Sequence, residues 1–86
     1  MYLHIGNNSL VRTGDIIGIF DLDNTTVMKS TRDYLSSAEK RGEVVNVTDE
    51  LPKSFVVCGE KNDSKKVYIS QLAPSTLIKR LEKREF

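Results

Sequence analysis

With 86 residues, 38% of them hydrophobic and 29% charged, the chain has the composition of one small globular domain, residues 1–86, and not that of a disordered segment. One cysteine, Cys58, and one histidine, His4, exclude a disulfide framework and a Cys/His zinc site, so neither metal nor cofactor is expected. The net charge of +1 is unevenly spread: residues 1–52 carry five basic and eight acidic side chains, residues 53–86 eight basic and four acidic, which fits either a basic face or a solvated surface.

Tyr2 to Ile5 alternates large residues around His4 and ends at Gly6, Asn7 and Asn8, a turn signal before a second short run, Leu10 to Arg12. This predicts a strand, a turn and a strand. Asp15 to Phe20 is β-branched and aromatic, with Gly18 marking a bulge or a close neighbour, and it predicts the central strand of the sheet. From Val27 the period changes. Val27, Thr31, Tyr34, Leu35 and Ala38 share one helical face, Asn24 or Thr25 can cap the start, Lys40 and Arg41 suit the last turn, and Gly42 suits a left-handed stop.

Val44, Val45 and Val47 predict a strand, and a loop around Pro52 leads to another at Phe55 to Cys58. A polar turn, Glu60 to Lys65, then returns the chain as a hairpin partner, Val67 to Ser70. Pro74, Ser75 and Thr76 open a final helix whose Leu77, Ile78 and Leu81 can face the sheet. The expected fold is α+β: a small, mainly antiparallel sheet of five to six short strands, one central helix and one C-terminal helix.

The run Ile19-Phe20-Asp21-Leu22-Asp23-Asn24-Thr25 resembles the first motif of haloacid-dehalogenase-type phosphatases. That chemistry also needs a downstream hydroxyl residue, a phosphate-holding lysine, an acidic pair for magnesium and a doubly wound sheet, which does not fit in 86 residues. Asp49-Glu50 follows only one helix later, in a short loop. Asp21 and Asp23 are better read as ending a strand and opening a helix, whose positive end favours carboxylates. His4 reads as a structural or exposed side chain, and Cys58 as a small buried one. No catalytic residue and no enzymatic activity are expected.

The opening Met1 to Gly6, the run Asp15 to Asp21, the helix end Lys40-Arg41-Gly42, the segment Pro52 to Val57, and Ser70 with Ser75 through Leu81 together resemble the RemA/RemB family over nearly the whole chain. The first hexapeptide and the Gly-Ile-Phe-Asp run look closer to the RemB branch. The resemblance implies a regulator of extracellular-matrix and biofilm genes in Gram-positive spore-forming bacteria. In the RemA branch it implies a DNA-binding activator that assembles into closed rings and bends DNA on repeated basic residues.

Ring assembly also suits a chain this short, whose own core is marginal and whose sheet edges a neighbouring copy could cover. The pattern departs from the RemA branch at two places: Gly14-Asp15 stands where an arginine precedes the third strand, and the loop before the fifth strand, Asp49-Glu50-Leu51-Pro52-Lys53, keeps only Lys53 of an arginine cluster. The expected DNA contacts are Arg12, Lys53, Lys65 and Lys66, made to phosphates. A self-assembling protein-interaction module without DNA binding is the alternative. Lys79, Arg80, Lys83 and Arg84 form a basic stripe that serves either reading or is a solvated helix end. No stretch approaches the ~20 apolar residues of a membrane span and no amino-terminal leader pattern is seen, so cytoplasmic residence is expected, with no membrane and no small-molecule substrate.

Overall fold

A computed structural model describes residues 1–7, 9–22, 29–59 and 65–83. Several expectations therefore lie outside the described residues: Asn8 in the first turn, Asp23 of the phosphatase-like run, the Asn24 or Thr25 cap, Val27, residues 60–64 of the polar turn, and Arg84. The rest are α+β, as expected. In chain order the elements are β1 (Tyr2–Gly6), β2 (Ser9–Arg12), a 3-10 turn (Thr13–Asp15), β3 (Ile16–Asp21), α1 (Lys29–Lys40), β4 (Val44–Asn46), β5 (Ser54–Gly59), β6 (Lys65–Ser70) and α2 (Pro74–Glu82).

The strands form two sheets, not one. β1 and β2 pair with each other, while the larger sheet has the order β3-β5-β6-β4. Its pairs are antiparallel except β4 with β6, where Val44, Val45 and Asn46 stand beside Val67, Tyr68 and Ile69. β3 and β4 consequently run in the same direction at opposite edges. Parallel strands need a crossover between them, and α1, lying between the two in the chain, supplies it.

β3 is thus an edge strand, which corrects its expected central place. Among the described residues its strand partner is β5, and Ile17 and Phe20 remain 60% and 45% exposed. The central position belongs to β5, where Ser54 to Cys58 are all buried. The physical reason is visible in the residues: a strand covered on both faces needs an unbroken apolar run, which Phe55-Val56-Val57-Cys58 is. Gly18 does mark a bulge, since the pairing with β5 shifts between Ile16 and Gly18.

The register sorts the two faces of the larger sheet. Val56, Cys58, Ile16, Ile19, Val45 and Tyr68 pack with Leu3, Ile5 and Val11 of the small hairpin and with Leu77 of α2. Phe55, Val57, Val67, Val44 and Ile69 pack on the other side with Tyr34, Leu35 and Ala38 of α1. The result is three layers, with the β1–β2 hairpin and α2 on one face and α1 on the other.

α1 ends as its sequence predicts. Gly42 takes φ +73°, its N–H donates to Glu39 O (3.0 Å), and the Glu43 N–H reaches back to Ala38 O (2.9 Å), so two carbonyls of the last turn are satisfied by the left-handed residue. Arg41 beside this turn pairs with Glu43 at 3.1 Å, and the hydrogen bond and charge of Glu43 raise the guanidinium further above its ordinary range.

One buried serine fastens the small hairpin to the large sheet, and a second ties β5 to the chain just after β6. Ser70 Oγ donates to Ile5 O (2.7 Å) and accepts from Leu72 N–H (3.0 Å), while Ser54 Oγ donates to Leu72 O (2.8 Å); both side chains are fully buried. Ser70→Ala leaves a carbonyl and an N–H without partners in a dry site. The expected loss is about 1–3 kcal/mol, read as a lower urea midpoint with an unchanged m-value.

Candidate nucleic-acid interface

The four cations expected to meet phosphate do not gather at one place. Arg12 closes β2 opposite Tyr2, exposed, and lines a small cleft of about 170 Å³ with Tyr2, Asp15, Cys58 and Tyr68. Lys66 is the cross-strand partner of Cys58 and lies two residues from Tyr68 on the same strand, hence on the same sheet face. Lys66 therefore shares the sheet face of Cys58 and Tyr68, two residues of the cleft that Arg12 lines. No ion pair joins Arg12 to Asp15 or to any other described carboxylate.

Lys65 stands at the same end of the sheet but on the opposite face, because neighbouring strand residues alternate. It overlooks the α1 side. Lys53 is at the other end of the β5–β6 hairpin, where its N–H donates to Ser70 O (2.8 Å) and its carbonyl accepts from Leu22 N–H (2.8 Å). Six strand residues separate those ends, roughly 20 Å of rise. Lys53 also has acidic company, since Asp21 pairs with Ser54 in the sheet and the exposed Asp49 and Glu50 lie just upstream.

Other singled-out residues have structural work. Arg80 Nη1 donates to His4 O (2.9 Å) and lies 3.2 Å from His4 Nδ1, tying α2 to β1. Cys58 is 2% exposed within the core. Asp21, the first aspartate of the phosphatase-like run, ends an antiparallel edge strand beside Ser54 and so lacks the doubly wound setting that the motif needs. Among the described residues no three His, Cys, Asp or Glu side chains are placed to share a metal ion, and no helix is long and apolar enough to cross a membrane.

A second concavity, missed from the sequence, lies between β3 and α1. Its volume is about 350 Å³, with walls from Ile17, Phe20, Phe55, Val57 and Tyr34. Ser30, Thr31 and Lys65 supply its polar lining. Phe20 stacks on Phe55 with ring centroids 4.9 Å apart and 19° between planes. The available signal was the bulge at Gly18, which re-aims the strand next to it.

The fold is that of a small three-layer α+β protein, with Arg12 lining a cleft beside its two-stranded hairpin and Lys66 on the neighbouring sheet face. The family model for RemA-like proteins, described as extracellular matrix regulatory protein A-like, matches residues 2–81. Extracellular matrix regulatory protein B of Bacillus subtilis (strain 168) is 34% identical over 82 residues, covering 95% of this chain and 91% of that protein. The chain belongs to the RemA-like family of extracellular matrix regulatory proteins, and its similarity to protein B supports the RemB-like affinity read from the first hexapeptide and the Gly-Ile-Phe-Asp run.

Proposed function

We propose that the chain is a cytoplasmic, ring-forming DNA-binding regulator of extracellular-matrix and biofilm genes, acting through assembly and phosphate contacts and not through catalysis. The observation that supports this reading is the cleft lined by Arg12, Cys58 and Tyr68, whose sheet face also carries Lys66 and where no described carboxylate pairs with Arg12. Lys65 and Lys53 extend the cationic surface from separate positions. One such face is a weak site for a polyanion, but its repetition around a ring multiplies the contacts along one duplex. Among the described residues β3 and β4 each have a strand neighbour on one side, and sheet edges of this kind favour assembly with another chain.

Backbone contacts of this kind have a salt signature. Each neutralised phosphate contributes about −0.9 to the slope of log affinity against log salt, with little dependence on sequence. Fluorescence anisotropy with matrix-operon promoter DNA is expected to show tight binding at low salt and a steep fall as salt rises. Absence of binding at low salt would remove the DNA reading. The second reading, a self-assembling module with a protein partner, is favoured by Asp21, Asp49 and Glu50 around Lys53. It predicts a multimer that recovers a protein in a pull-down and leaves DNA unbound.

A further inference from the structure

We propose that the cavity between β3 and α1 binds a small amphipathic anion, an apolar chain or ring carrying one carboxylate. The size fits: about 350 Å³ falls within the range of roughly 300–1,000 Å³ found for small-molecule sites, which are mostly apolar with a few placed polar groups. The chemistry of the lining selects the charge. Ile17, Phe20, Phe55 and Val57 supply an apolar wall, while Lys65 is the one charged side chain among the described lining residues. No described carboxylate pairs with it. An ammonium beside apolar surface gains most from an anion, and the hydroxyls of Ser30 and Thr31 can donate to the same carboxylate.

Two glycines give the cavity its shape. A Cβ on Gly18 would sit 2.7 Å from Phe20 Cε2 and Cζ, so only a bare backbone lets that ring lie across β3 and stack on Phe55. A Cβ on Gly59 would meet Ile17 Cδ1 at 3.0 Å. The aromatic wall and the Ile17 wall are therefore both set by the absence of a side chain beneath them. A flat protein face would leave this concavity unfilled, whereas one short acyl chain or aromatic acid fills it. The cavity lies on the α1 side of the sheet, opposite the face that carries Lys66, and its readout at Ile17 needs no DNA.

The test uses the full assembled chain with Ile δ1-methyl groups labelled with carbon-13, titrated with decanoate below its micellar concentration and with decyltrimethylammonium as the cationic counterpart. The Ile17 methyl signal is expected to move saturably with decanoate while Ile5, buried on the other face, stays in place. Decyltrimethylammonium should bind at least about tenfold more weakly, and Lys65→Glu should weaken decanoate by a similar factor, because the anion's partner is gone. An unchanged Ile5 signal confirms that the Lys65→Glu protein is folded. No saturable movement of Ile17, or equal affinity in Lys65→Glu, overturns the proposal. So does Ile17→Asp dispersing the assembly into single subunits in sedimentation, which would assign the groove to contact between copies.

Discussion

Leu77→Ala is expected to lower the free energy of unfolding by about 3 kcal/mol, within the 2–5 kcal/mol typical of buried Leu→Ala changes. Leu77 is fully buried in α2 and packs in the cluster that contains Leu3, Ile5, Val11, Val56 and Cys58. It is the fully buried residue of that short helix, so its side chain couples α2 to both sheets. Truncation removes the transfer free energy of the lost carbons and leaves a void that three layers can close only in part. Urea unfolding at one fixed protein concentration measures the loss, the concentration being held because the proposed assembly would add its own stabilisation. Ile78→Ala, one residue further and 44% exposed, should cost under about 1 kcal/mol. Equal losses at the two positions would contradict the assignment of the buried face of α2.

The second large effect is expected at Arg12 and Lys66. Reversing both cations, Arg12→Glu with Lys66→Glu, should reduce affinity for duplex DNA more than about 100-fold at low salt and flatten the salt slope, because each removal recurs in every subunit that touches the duplex. Lys53→Glu should do much less. Its position is roughly 20 Å from the Lys66 end of the hairpin by strand rise, beside Asp49 and Glu50, where the local field already opposes a phosphate. Anisotropy titrations of the three proteins check this ordering. A larger effect at Lys53 than at the Arg12–Lys66 pair would move the contact surface to the other end of the hairpin.

The sequence announced most of the elements because their signals are local. The stop at Gly42 needs only a residue that tolerates positive φ, and the entry to α2 needs only Pro74 in the first turn, whose missing N–H has no helical partner in any case. The division into two sheets was not legible, because β1 and β2 pair locally and nothing in Tyr2 to Arg12 states that the hairpin lies across a sheet instead of extending it. What docks it are the long-range hydrogen bond of Ser70 to Ile5 and the Asn7 Nδ2 bond to Val47 O at 2.7 Å. Small polar residues of this kind carry no periodic signature.

The sequence of β3 points to a central place for a related reason. Ile16, Ile17, Ile19 and Phe20 are as apolar as the residues of β5, and hydrophobicity alone puts both strands inside. The distinguishing feature is Gly18 with its bulge, which turns Ile17 and Phe20 toward the α1 side and leaves them open there. The cations show the same limit: residue type named Arg12, Lys53, Lys65 and Lys66, but only the register showed that Lys65 and Lys66 take opposite faces and that Lys53 stands at the far end.

Assembly is the claim on which the functional account rests, since one copy presents Arg12 and Lys66 once and, among the described residues, gives β3 and β4 a strand neighbour on one side each. Sedimentation velocity across a concentration series reaching down to cellular levels tests it most directly. The account predicts one closed multimer whose size stays constant over the series. A stable single subunit throughout would contradict it.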